Sequence, residues 1–138
     1  MRNPERVARL FAFGANASLD GVKAGGARTP LFATYSSRCK AEYQELSPEP
    51  DKWPKLIDGL RATWQAQLHI TKRKLAAIKT PTTISVGQYD ELIKPEHALD
   101  MARAIPGARL VIQPNVSHFA MLQNPEQFNR ALAEFLAA

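Results

Sequence analysis

Thr82-Thr83-Ile84-Ser85-Val86-Gly87-Gln88-Tyr89-Asp90 is the stretch on which the fold turns. Four of its first five residues are β-branched and a glycine closes the run, so it predicts a buried strand that ends in a loop carrying an acid. Working outward toward the C-terminus, Pro95 to Ile105 reads as a helix, opened by proline and stopped by Pro106-Gly107. Arg109-Leu110-Val111-Ile112-Gln113 is a further strand, closed by Pro114. Asn124-Pro125-Glu126 opens a final helix with Phe128, Leu132, Phe135 and Leu136 on its apolar face.

Toward the N-terminus, Thr71 is placed to cap a short helix that ends before Pro81. Leu31, Phe32, Tyr35, Cys39, Tyr43 and Leu46 recur at spacings of three and four, which predicts a helix from Pro30 to Leu46. Ser47-Pro48-Glu49-Pro50 breaks it, and Asp51 is expected to cap a second helix with Trp53, Leu56, Ile57, Leu60 and Trp64 along one face. Residues 15–27 are small, polar and glycine-rich and read as loop. Arg6 to Phe13 is a short apolar run closed by Gly14, and it reads as a buried strand. Strand, helices, strand, helix, strand, helix is the order of a parallel α/β sheet. The expected fold is therefore α/β, with three parallel strands, flanking helices and a helical insertion. The expected segments are 1–14 for the first core strand, 15–79 for the insertion and 80–138 for the C-terminal core.

Bulk properties exclude several function classes. A chain of 138 residues with 45% hydrophobic and 22% charged residues has the composition of one soluble globular domain. The net charge of +5 comes from residues 1–80, whereas 81–138 are net acidic. The densest basic run, Lys72-Arg73-Lys74, is followed by Leu75-Ala76-Ala77-Ile78, as on the exposed face of a short helix. Without interleaved aromatics or a recognition helix, no nucleic-acid partner is expected. No apolar run reaches the roughly 18 residues that span a bilayer, so no membrane association is expected. Met1-Arg2-Asn3-Pro4-Glu5 lacks the apolar core of a signal peptide, and a cytoplasmic location is the expectation. Cys39 stands alone, which rules out an intrachain disulfide or a cysteine-built metal site.

Two strand-end loops carry the chemistry: Gln88 to Ile93 after one strand, and Pro114 to Phe119 after the next. Functional groups of parallel α/β sheets gather at the carboxyl ends of strands. Neighbouring strands lie about 5 Å apart, so an acid in the first loop and His118 in the second can reach hydrogen-bonding distance. Such a pair is what a catalytic triad needs: the carboxylate fixes the tautomer of the imidazole, whose other nitrogen acts as base. On position alone, Asp90 and Glu91 are both candidates for the acid. His97 reads as helix surface, His69 as a loop or insertion residue, Trp53 and Trp64 as packing residues, and Gly14 as a plain turn.

Over residues 80–138 the chain resembles the α/β-hydrolases. The resemblance rests on an apolar strand, Gly87-x-x-Asp90, Pro95-x-x-x-Ala98 opening a helix, and Pro106-Gly107-Ala108-Arg109-Leu110 leading to a strand. Ser117-His118-Phe119 and Asn124-Pro125-Glu126 then follow in the family's order. It extends more loosely to 1–14, similar to the strand before that family's cap, and to 28–78, similar to the cap itself. The resemblance implies that Asp90 is the triad acid, that His118 is the general base, and that no cofactor is used. The activity it implies is hydrolysis of an ester, lactone or similar bond.

The chain departs from the family in its nucleophile. Serines stand at 18, 36, 37, 47, 85 and 117, and none is flanked as in Gly-x-Ser-x-Gly. Three readings follow: a catalytically incomplete part of a hydrolase, one half of a two-chain hydrolase, or a non-catalytic binding module on the half-fold. The first predicts no appreciable hydrolase turnover by the isolated chain. A homo-oligomer is also expected, paired through the open edge of the first strand or through the insertion helices.

Overall fold

A computed structural model describes residues 3–67 and 69–138. Met1, Arg2 and Leu68, which fall in the expected segments 1–14 and 15–79, lie outside the described residues. The elements are β1 (Leu10–Phe13), α1 (Pro30–Leu46), α2 (Trp53–Gln67), α3 (Lys72–Ala76), β2 (Thr82–Gly87), α4 (Pro95–Ala104), β3 (Arg109–Gln113), α5 (Ala120–Gln123) and α6 (Pro125–Ala137), with short 3-10 turns between several of them. The three strands form one parallel sheet in the order β1-β2-β3.

Each face of the sheet has its own partner. Ala12, Ile84 and Leu110 share one face by register, and with Val86 they pack on Ala98, Met101, Ala102 and Ile105 at α4 and on Leu75 of α3. Phe11 and Phe13 point the other way and meet α6, with Phe11 against Phe135 at 5.5 Å and Phe13 against Phe128 at 5.2 Å between ring centroids. Cover on both faces is why β2 reads as a continuous β-branched run rather than an alternating one, and all six of its residues are buried.

Side-chain caps set the helix starts. Thr29 Oγ1 accepts from Phe32 N ahead of α1, Thr71 Oγ1 from Lys74 N ahead of α3, and Asn124 Oδ1 from Gln127 N ahead of α6. In α3 only Leu75 is buried, which leaves Lys72, Arg73 and Lys74 as a solvated face.

Two sequence expectations need correction here. The first strand does not begin at Arg6 and is half-buried rather than buried. Pro4–Arg6 form a 3-10 turn, and pairing starts only where Leu10 N donates to Pro81 O. Because β2 begins at Thr82, no ladder partner exists for an earlier start, and β1 pairs on one side only among the described residues. Asp51 is not the cap of α2, because a 3-10 turn, Pro50–Lys52, runs directly into that helix and encloses it. The chain divides into a sheet unit, residues 3–24 and 69–138, and a helical unit, residues 25–67. Residues on both sides of the helical unit join the sheet unit through the Ser18–His69 and Val22–Ile93 bridges and through buried Ala17 and Leu75.

Within the helical unit, Phe32, Tyr35, Cys39 and Tyr43 form the half-buried stripe of α1 that their spacing predicts. Tyr43 packs on Trp53 of α2 with ring centroids 5.5 Å apart and planes tilted by 56°, whereas Trp64 is 53% exposed and is not a packing residue. Among the described residues no helix is long and apolar enough to cross a membrane.

Candidate active site

Parallel strands put all their carboxyl ends on one side, and each of the three delivers a residue there. The register pairs Gly87 with Gln113, so the acid loop and the histidine loop leave the sheet side by side. Gln88 N donates to Gln113 O at 2.8 Å, Tyr89 N to Val116 O at 2.9 Å, and Asn115 N to Gln88 Oε1 at 3.0 Å. Asn115 takes the left-handed conformation (φ 58°) that turns the histidine loop directly after Pro114, a position asparagine tolerates better than most residues.

These bonds bring Asp90 and His118 together. His118 Nδ1 lies 3.0 Å from Asp90 Oδ2 and 3.2 Å from Oδ1. Asp90 is fully buried, and its Oδ1 also accepts from Leu92 N and Ile93 N, both at 2.8 Å. An ionised carboxylate only accepts, so in this contact Nδ1 of His118 is the donor. The His118 side chain retains 23% exposure. The pair is thus a buried carboxylate hydrogen-bonded to an imidazole that solvent still reaches.

Glu91, the other candidate acid, does not face the ring; its Oε2 accepts from the main-chain N of His118 at 3.1 Å. Lys23 Nζ donates to Asp90 O at 2.5 Å and anchors the acid loop from the 15–24 segment.

Gly14, read from the sequence as a plain turn, is part of the site. It follows β1 with φ +55°, and a Cβ there would lie 2.6 Å from Cε1 of the His118 ring. Glycine therefore lets the backbone lie flat on the imidazole. Phe119 meets the ring edge-to-face at 5.4 Å from the opposite sequence side. Gly87 has a similar role beneath the loops, since a Cβ there would be 2.2 Å from Ser117 O. No pattern in the sequence marks Gly14 as touching His118; only its place after an apolar strand hinted at a strand end.

His97 corrects another expectation. It is half-buried rather than surface, and its Nε2 accepts from Ala17 N at 3.0 Å. Gly21 packs on the same ring, where a Cβ would lie 2.3 Å from Cδ2. His69 is exposed in a loop, paired with Ser18. Cys39 is half-buried in the helical unit beside a shallow hollow lined also by Tyr43, Leu46 and Trp53. Among the described residues, no three His, Cys, Asp or Glu side chains gather as a metal site.

No family model matches the chain. The chain is 26% identical to a mouse protein described as serine hydrolase BPHL, over 96% of this chain and 47% of that protein. It superposes on a meta-cleavage product hydrolase from Pseudomonas fluorescens IP01 with a TM-score of 0.75 at 20% identity, covering 99% of this chain and 58% of the other. An alpha/beta hydrolase enzyme from a sediment metagenome of the Mar Chica lagoon, Morocco, matches at 27% identity and TM-score 0.61, over 97% of this chain and 52% of the other. The chain belongs to the α/β-hydrolase family. It spans less than half the length of the curated α/β-hydrolase relatives it matches, 47% of the mouse protein and smaller shares of several others. In this α/β-hydrolase, the residues that occupy the strand ends are Gly14, Asp90 and His118.

Proposed function

We propose that Asp90 and His118 are the acid and general base of a Ser-His-Asp hydrolase, acting on a carboxylic ester, lactone or similar bond without a cofactor. The observation that carries this reading is the 3.0 Å contact between His118 Nδ1 and the fully buried Asp90 carboxylate. In this mechanism Nε2 of His118 takes the serine proton as the serine oxygen attacks the carbonyl carbon, and Asp90 stabilises the imidazolium. The imidazolium then gives that proton to the departing alcohol, and water releases the acyl group by the same steps in reverse. None of the six serines of these 138 residues stands in a Gly-x-Ser-x-Gly elbow, so this reading needs a nucleophile supplied by other residues. The description of the mouse relative as a serine hydrolase supports a serine in that role. Residues 25–68 correspond in this reading to the family's cap, and the cytoplasm is its place of action.

The isolated 138-residue chain is expected to show no appreciable turnover of short-chain nitrophenyl esters, because the residues of a triad act as a unit. Substantial turnover abolished by His118→Ala would overturn that expectation and locate a nucleophile within the chain. Mixed with a polypeptide carrying Gly-x-Ser-x-Gly, the chain should support turnover that His118→Ala abolishes. A reading frame encoding that motif directly upstream of Met1 separates one long hydrolase from a two-chain enzyme. Saturable ligand binding without turnover in every mixture would favour a binding module instead.

A second reading concerns partners. We propose that the chain self-associates through β1, which among the described residues pairs on one side only and carries half-buried Leu10. Light scattering at micromolar concentration should then give a dimer that Leu10→Lys weakens, and a clean monomer refutes it. Pairing through the helices of the 25–68 unit would leave the dimer intact in Leu10→Lys.

A further inference from the structure

His118 is held at two points by consecutive residues of one loop. Asp90 takes the ring, and Glu91 takes the main chain through the bond from His118 N to Oε2 at 3.1 Å. We infer that Glu91 is a positioning residue that fixes the backbone of His118 so that its ring stays on Asp90, a role that presupposes His118 as the base.

The placement of the carboxylate is costly in itself. Glu91 is half-buried, and its Oε1 is shielded from solvent without a hydrogen-bond partner among the described residues. A buried carboxylate oxygen lacking a donor opposes folding, and an apolar side chain would avoid that cost. The compensation is a single charge-assisted bond, and it is directed at the histidine.

The histidine loop needs such a bond at this point. Gln113 and Val116 are tied to the acid loop by their carbonyl groups, and Ser117 N donates to Gln123 Oε1 at 2.7 Å. Past Ser117 the chain turns toward α5, and the donor of His118 itself is satisfied by Glu91. Both grips come from the loop that follows Gly87, so a shift of that loop carries ring and backbone together and preserves their mutual geometry. Misplacement by about 1 Å can cost a catalytic group a hundredfold, so such coupling bears directly on the base. Glu91 reaches no atom of the imidazole by hydrogen bond, which separates its role from that of Asp90.

The test uses the 138-residue chain and two proton NMR signals: the exchange rate of the His118 amide, and the low-field Nδ1–H resonance of an imidazole hydrogen-bonded to a carboxylate. Slow amide exchange at Ile84 and Val86 reports that the sheet remains folded in each variant. Glu91→Ala should accelerate His118 amide exchange by about ten- to a hundredfold, the range for a bond to a charged group, and should broaden or remove the Nδ1–H signal. Glu91→Gln keeps an acceptor oxygen at the same reach and should restore both signals. If the Nδ1–H signal is present, disappears in Asp90→Asn, and is unchanged in Glu91→Ala, the role of Glu91 falls while the Asp90–His118 pair stands. Failure of Glu91→Gln to restore the signals would also overturn it. A parent chain with no Nδ1–H signal would remove the base reading and the positioning role together.

Discussion

Six consecutive residues of β2, Thr82–Gly87, are buried in the sheet unit, whereas in the helical unit Gly26 alone is, among the residues whose burial is described. Both units contain well-formed elements, so the difference lies in packing. In the sheet unit both faces of β2 are covered, and the polar atoms at the strand ends are tied loop to loop. In the helical unit the apolar stripe of α1 is half covered, and one aromatic pair, Tyr43 with Trp53, supplies its most definite contact. Two side chains held in a fixed hydrogen bond, as His118 and Asp90 are, belong on the first kind of scaffold. Sparse burial of the second kind favours easier local opening.

The comparison breaks most visibly at the core. Ile84→Ala should cost about 3–4 kcal/mol in chemical denaturation, as for a buried isoleucine emptied on a sheet face, and a cost below about 1 kcal/mol would show the sheet unit to be loosely packed. Gly14→Ala tests the coupling between packing and site. A methyl group 2.6 Å from the imidazole, on a backbone at φ +55°, should cost about 1–3 kcal/mol. The same substitution should remove the Nδ1–H signal of His118; an unchanged signal would mean that the glycine does not seat the ring. Trp53→Ala should cost about 1–2 kcal/mol through the lost pairing with Tyr43, and should speed amide exchange in α1 and α2 without affecting β2. Parallel acceleration in β2 would erase the distinction between the units. Trp64→Ala should change stability by less than about 0.5 kcal/mol, since the side chain is largely in water.

How legible each feature was depends on the range of the forces behind it. Hydrophobic period and capping are local, so Pro30–Leu46, Thr82–Gly87 and Arg109–Gln113 could be read with their ends. The approach of Asp90 to His118 needed only two adjacent parallel strands and their loops, which the element order already implied. The true length of β1 was hidden because an apolar run does not reveal where its neighbour begins. His97 looked like a polar residue on an exposed helix face, because its partner is a main-chain N–H eighty positions away. Glu91 and Gly14 were misjudged for the same reason: one acts on a backbone atom and the other through a missing side chain, and neither leaves a periodic trace.

The Ser18–His69 bridge, with the 2.7 Å bond from Ile70 N to Ala17 O, closes the chain on itself at the base of the intervening segment. Entry and exit are therefore fixed to each other by the sheet unit alone, whatever lies between them. Under that arrangement, doubling the enclosed length adds only about 0.6 kcal/mol of closure entropy. The clamp makes the segment a replaceable cassette: its length and sequence can change while the strand ends that carry Asp90 and His118 keep their geometry.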